Sequence, residues 1–278
     1  MHAPGRFTAL ALLGLAVAGG CAAPVKEAAR LGDVRGRIPV VVDDRLTLHG
    51  TLGLPPGDGP FPAVVLMHGC SGPGRPDRGW PSQLNAWGYA TLRLDSFGDR
   101  GIREVCTNRL LSPEDRLPDA FAALATLATH PRVDRERIVL MGFSHGGSVA
   151  RLAAAPSIAG AYARPGVARF RASLAFYPGC ARGFPDGRVG TPLRIHIGSD
   201  DDWTPAPPCE QFVAVVGGDV RITVYPGALH AFDAVGLEAR VWRPGVGRGY
   251  QGATVGYSPE ATAAARVNVR AELDALLR

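Results

Sequence analysis

The sequence predicts an α/β domain with an open, mostly parallel central sheet flanked by helices. Three observations point there. Continuous apolar runs recur along the chain, at AVVLMHG, RIVLMG, ASLAFYP, PLRIHIG and VRITVYP. Runs without polar alternation fit strands covered on both faces, as in a parallel sheet. Helix-compatible stretches alternate with them, the order expected of an α/β sheet. Finally, 278 residues of 46% hydrophobic content suffice to bury the core of one such domain.

Taken in order, the chain begins with Arg6 and the apolar stretch FTALALLGLAVAGG, followed by small residues. That stretch is too short to cross a bilayer and has the pattern of a secretory leader over residues 1–20. Two exits from it are open. Ala16-Val17-Ala18 is an A-x-A cleavage site, which releases a soluble protein. Ala18-Gly19-Gly20-Cys21 resembles a bacterial lipobox with Cys21 as the lipidated residue, although Ala18 stands where leucine is usual. The chain has five cysteines, at 21, 70, 106, 180 and 209. Giving Cys21 to a lipid leaves four, enough for two disulfides in an oxidising compartment. The expected location is therefore outside the cytoplasm, periplasmic or held at a membrane through Cys21. Residues 21–33 read as a tether, and 34–278 as the folded domain.

RIPVVVDD and LTLHGTLGLP read as two strands, closed by the turn-rich PPGDGPFP. Ser112-Pro113-Glu114-Asp115 combines an N-cap, a proline at the first helical position and an acid three residues on. Leu117, Phe121, Leu124 and Ala128 then share one helical face. Ser258-Pro259-Glu260 repeats the start signal, with Val269, Leu273 and Leu276 lining a final helix. The net charge of +5 comes almost wholly from arginine, since Lys26 is the sole lysine. The arginines form no basic run and have no interleaved aromatics, which argues against a nucleic-acid-binding protein.

Ligands of open α/β sheets bind beyond the carboxyl ends of the strands. Gly142-Phe143-Ser144-His145-Gly146 lies at such an end, a G-x-S-x-G sequence between a strand and a helix-compatible stretch. A serine exposed on so sharp a turn needs small residues two positions before and after it. In chain order Ser, acid, His, the base must come after the serine. His145 adjoins the serine and would point elsewhere, and His196 sits inside PLRIHIG as a packed strand residue. His230, in PGALHAFD after a strand, is the well-placed base. Asp200, Asp201 and Asp202 come just after Gly198, where the acid belongs. A calcium loop would need more oxygen ligands at regular spacing, so no metal is expected. The oxyanion would be met by two backbone N–H groups, that of His145 and that of Cys70 in the loop HGCSG.

With these residues in place the chain resembles the dienelactone hydrolase family of the α/β-hydrolase superfamily. HGCSG, LDSFGDRG, RIVLMGFSHGG, FYPGC, IGSDDDWTP and YPGALHAFD occur in the family's order and, with the strand before the first, span residues 64 to 233. The resemblance implies the α/β-hydrolase fold, with Ser144 and His230 as nucleophile and base. The family's G-x-x-D-x-x-x-P pattern, matched from Gly198 to Pro205, selects Asp201 as the acid. Its exported members imply the pairs Cys70–Cys106 and Cys180–Cys209, although four cysteines by themselves allow three pairings. The family's namesake has a cysteine nucleophile and a glutamate after the oxyanion-strand histidine. This chain has Ser144 and Gly69 there, which points away from the namesake substrate.

The activity these readings imply is hydrolysis of a carboxylic ester through an acyl-enzyme, without metal or organic cofactor. Peptidases and thioesterases use the same triad, and a non-catalytic exported lipoprotein keeping the fold for binding is the alternative from another class. Arg100, Phe143 and Trp203 are the candidate pocket residues. The expected partner is a small ester substrate, with neither nucleic acid nor, apart from the lipid, a membrane involved.

Overall fold

The computed structural model describes Met1 and residues 36–163, 168–181 and 183–277. The expected leader beyond Met1 and the whole tether, Cys21 included, lie outside the described residues. Eight strands form one sheet: β1 (Gly36–Val41), β2 (Thr47–Gly53), β3 (Phe61–Met67), β4 (Ala90–Asp95), β5 (Val133–Phe143), β6 (Ala172–Phe176), β7 (Leu193–Gly198) and β8 (Val220–Tyr225). Their spatial order is β1-β2-β4-β3-β5-β6-β7-β8. β1 and β2 are antiparallel to their neighbours and every pair from β4 onward is parallel.

The burial of each strand reflects its place in that order. β1 and β2 bury only alternate residues, Ile38 and Val40 against Leu48 and Leu52, as an antiparallel margin with one wet face does. β6 and β7 are buried along their whole lengths, and β3 is buried from Ala63 to Met67. The apolar run VRITVYP departs from the two-sided expectation. As β8 it is the sheet's edge, and only Tyr225 is fully buried. β5 begins earlier than its apolar run, at Val133, and its pairing with β3 shifts register between Phe61 and Ala63.

The helices are α1 (Arg75–Ala86), α2 (Leu117–Ala128), α3 (His145–Ala153), α4 (Pro156–Tyr162), α5 (Ala206–Val215) and α6 (Pro259–Leu276). Ser112 does form the reciprocal cap, with Asp115 accepting from its N–H and O–H at 2.8 Å. The cap opens a 3-10 turn over Glu114–Arg116, and α2 starts only at Leu117. Pro118 accounts for the delay, because it has no N–H to donate back to Glu114. The buried stripe of α2 is Leu117, Ala120, Leu124 and Leu127, turned slightly from the predicted face. Phe121 is instead partly covered, stacked on Tyr162 at 4.4 Å between ring centroids. α6 starts as predicted, with the Ser258 hydroxyl accepting from the N–H of Ala261.

The sequence reading named no counterpart for α1, β4, α4, α5 or one further feature, a hairpin arm. Between β8 and α6 an arm of two short antiparallel strands, β9 (Val241–Arg243) and β10 (Ala253–Val255), folds beside the strand ends. None of the helices among the described residues is long and apolar enough to cross a membrane.

Candidate active site

Ser144 stands between β5 and α3 with φ 53° and ψ −113°, a left-handed conformation that L side chains seldom adopt. Its N–H still donates to Phe176 O at 2.9 Å, as though β5 continued along β6, and the chain then turns into α3. Two glycines make this bend fit. A Cβ on Gly142 would lie 2.0 Å from Gly146 O, and one on Gly146 would lie 2.2 Å from Met67 O. Strand and helix backbones therefore touch where the G-x-S-x-G pattern has hydrogen atoms for side chains.

The other two groups arrive from the ends of β7 and β8. His230 Nε2 lies 2.9 Å from Ser144 Oγ, and His230 Nδ1 lies 2.8 Å from Asp201 Oδ2. A carboxylate at Nδ1 fixes the proton there and leaves Nε2 to accept from the serine hydroxyl. Asp201 is itself held: its Oδ1 accepts from the N–H groups of Trp203 and Thr204 at 2.9 and 2.8 Å. The Thr204 hydroxyl lies 3.0 Å from Asp201 Oδ2 and 3.0 Å from Tyr177 O. The imidazole sits between two rings, Tyr177 at 4.7 Å and Trp203 at 4.8 Å between centroids. His230 and Asp201 are buried, while Ser144 stays partly open to solvent.

The three aspartates separate by function of place. Asp201 faces His230, as the pattern match selected. Asp202 fastens β10, accepting from Thr254 N at 2.7 Å and from its hydroxyl at 2.9 Å. Asp200 accepts from the Ser199 hydroxyl in the turn. Among the described residues no group of histidines, cysteines and acids is arranged to hold a metal ion. His196 is the packed strand residue expected, between Tyr225 and Glu272.

Both disulfides implied by the resemblance are present, Cys70–Cys106 and Cys180–Cys209. The first closes the loop after β3 onto the segment before α2, and Val105 N donates to Cys70 O at 2.7 Å beside it. Gly69 lies against the elbow, where an added Cβ would sit 3.5 Å from Ser144 Cβ. Cys70 and Ser144 line the same recess.

Ser144 opens into a cavity of about 700 Å³. Phe143 and Trp203 line it as expected, together with Leu237, Val246 and Val255. A second recess of about 280 Å³, also containing Ser144, lies toward His145, Ser112 and Arg109. Arg100 belongs to neither. Its guanidinium meets the buried Asp119 carboxylate through two 2.8 Å hydrogen bonds and also donates to Ser96 O. A fork so committed is structural, which corrects its placement among the pocket residues.

Sequence reading missed three further groups. Asp233 is buried three residues beyond His230, accepting from Tyr177 Oη at 2.6 Å and Trp80 Nε1 at 2.7 Å. Burial pushes its carboxyl up to about 6. Thr204, inside the quoted DDWTP, completes the support of the acid. Arg116 is fully buried behind the elbow, with Nη1 3.0 Å from His68 O and 3.0 Å from His145 Nδ1. For Asp233, its place three residues after the base in LHAFD was the available signal; Arg116 had none.

Compared with known protein families, residues 48–271 match the Dienelactone hydrolase family. Among solved structures, a candidate dienelactone hydrolase from Klebsiella pneumoniae superposes with a TM-score of 0.67 at 19% identity, covering 87% of this chain and 98% of that one. The dienelactone hydrolase-like promiscuous phosphotriesterase P91, from metagenomic libraries, gives 0.65 at 19% identity over 87% and 98%. A dienelactone hydrolase from Anabaena variabilis gives 0.64 at 20% identity over 87% and 97%. No curated protein matches the chain.

Proposed function

Given that the chain belongs to the dienelactone hydrolase family and is a hydrolase of ester-like bonds, we propose that it is a serine carboxylesterase working through an acyl-enzyme. The observation that carries this reading is the unbroken hydrogen-bond chain Asp201–His230–Ser144, at 2.8 and 2.9 Å, ending in a cavity. Ser144 Oγ attacks the ester carbonyl carbon while its proton passes to His230 Nε2. Asp201 orients the imidazole and stabilises the cation that forms. The N–H groups of Cys70 and His145 meet the oxyanion. His230 then gives its proton to the departing alkoxide oxygen. Water, deprotonated by the same nitrogen, attacks the acyl-serine, and His230 returns that proton to Ser144 Oγ as the acid leaves.

The lining of the cavity by Leu237, Val246, Val255 and Phe143 favours an ester with an apolar acyl or alcohol group. Serine in place of cysteine, and Gly69 in place of glutamate, argue for a substrate other than the family namesake's. We propose a location outside the cytoplasm, with lipidation at Cys21 or release after Ala18; the two disulfides support an oxidising compartment.

Covalent labelling tests this. A fluorophosphonate should add one adduct mass to the wild-type protein and none to Ser144→Ala. Absence of an adduct on the wild type, or equal labelling of both, sinks the proposal. An acyl-chain series of aromatic esters then defines the substrate range.

A further inference from the structure

We infer that Arg116 is a positioning residue for the reaction, clamping together the two backbone segments whose N–H groups receive the oxyanion. The inference rests on the serine hydrolase reading above and goes beyond it, because Arg116 is neither a member of the triad nor part of the cavity wall.

The geometry is specific. Arg116 ends the 3-10 turn before α2 and is fully buried. Its Nη1 carries two N–H bonds and has two acceptors, His68 O and His145 Nδ1, each at 3.0 Å. His68 O belongs to the peptide immediately before the Gly69–Cys70 amide, one oxyanion donor. His145 supplies the other donor from its own backbone. One nitrogen atom thus spans the end of β3 and the start of α3, at the two points where the donors must keep their spacing.

Both acceptors are themselves immobilised. His145 Nε2 donates to Leu111 O at 3.1 Å, which leaves Nδ1 as the acceptor facing Arg116. The His68 ring receives the Ser96 N–H at Nε2 and donates from Nδ1 to Gly69 O at 2.7 Å. Arg116 Nη2 lies 3.4 Å from His68 Nε2, and the guanidinium carbon lies 4.9 Å from the Phe97 ring centroid. Phe97 meets the His68 ring edge-on at 4.4 Å. Burial and the Arg116 charge hold His68 well below the ordinary histidine range, so it stays neutral. A planar fork in fixed contact with two loops transmits position in a way that a lysine ammonium does not. An oxyanion donor acts only at the correct distance from where the negative charge develops. A clamp on both donors therefore governs the transition state more than substrate binding.

The test uses the full-length protein with Arg116→Met and Arg116→Lys. A misplacement of about 1 Å in a catalytic array costs about 100-fold in rate. Arg116→Met should therefore lose about 100-fold in kcat with KM within about threefold of wild type. Affinity for a trifluoromethyl ketone, which forms a tetrahedral adduct with the serine, should fall by the same factor. Arg116→Lys keeps the charge and should show an intermediate loss, about 10-fold, in both quantities. Unchanged kcat in a folded Arg116→Met, or a loss confined to KM, overturns the inference. If Arg116→Met does not fold, Arg116→Lys decides: wild-type kcat and ketone affinity in it also overturn the inference. A wild type that neither hydrolyses esters nor takes up fluorophosphonate defeats the hydrolase reading instead, which is a distinguishable result.

Discussion

Removing one disulfide at a time separates what the cystines do for stability from what they do for the site. Cys70–Cys106 closes a separation of 36 residues and Cys180–Cys209 one of 29. In the chain-entropy model such loops stabilise by about 3.8 and about 3.6 kcal/mol, nearly equal amounts. For a domain of this size each kcal/mol moves Tm by about 2 to 4 °C, so either loss should lower Tm by about 7 to 15 °C. The two cystines sit differently, however. Cys70 and Cys106 both line the cavity at Ser144, and Cys70 carries a proposed oxyanion N–H. Cys180 lines a separate surface groove. Replacing Cys70 and Cys106 by alanine should lower kcat about 10-fold with little change in KM, a fraction of what losing a whole oxyanion donor costs. The Cys180→Ala, Cys209→Ala double variant should keep kcat within about twofold while showing a similar fall in Tm. Melting curves by circular dichroism, with ester hydrolysis assayed at 25 °C, measure both. Equal kcat losses in the two double variants would refute the reasoning, because only a general loosening of the fold acts alike at both places.

The site itself leads to two more expected outcomes. Asp201→Asn should lower kcat by about 10⁴-fold, as loss of the charged orienting partner does in comparable triads. Asp202→Asn, whose partner is Thr254 on the arm, should lose far less, and steady-state kinetics on one ester compares them. Asp233 gives a stability signature. Its carboxyl is raised by burial to about 6 in the folded protein, against 3.8 for the free group. The folded state therefore holds a proton that the unfolded chain has released, and stability from this group falls as pH rises between about 4 and 6. The stability difference between wild type and Asp233→Asn should shrink by about 3 kcal/mol across that window and stay flat above it. Urea titrations at several pH values measure it, and a difference independent of pH refutes the assignment.

Much of this arrangement was legible before the structure. The apolar runs located β3, β5, β6, β7 and β8 but not the parallel strand β4, and they did not reveal that β8 is an edge; the inner strands stood out because a strand covered on both faces has no polar positions to spare. Ser144 and His230 were identifiable because each sits just past such a run, where the chain has to turn. The acid was ambiguous by composition alone, since three adjacent aspartates are chemically alike; the direction in which the turn aims each one decides, and only the family pattern encoded that. Arg116 and Arg100 show the limit. Both are arginines in polar-looking segments, and their buried partners lie far away in sequence, His68 for one and Asp119 for the other. The β9–β10 arm was hidden for another reason. Each strand is three residues long, β9 closed by Pro244 and β10 flanked by Gly252 and Gly256, and no periodicity develops in so short a span.

That arm divides its duties between backbone and side chains. The main chain of β10 secures the reacting groups: Val255 bridges His230, Gly256 N donates to His230 O, and Thr254 holds Asp202 beside the acid. The side chains of Arg243, Pro244 and Val246, on β9 and the turn after it, face the substrate cavity. Changes at those side chains should therefore alter which ester-like substrates fit without moving the backbone that holds His230 and Asp202. Val255 does both, lining the cavity with its side chain while its backbone bridges His230.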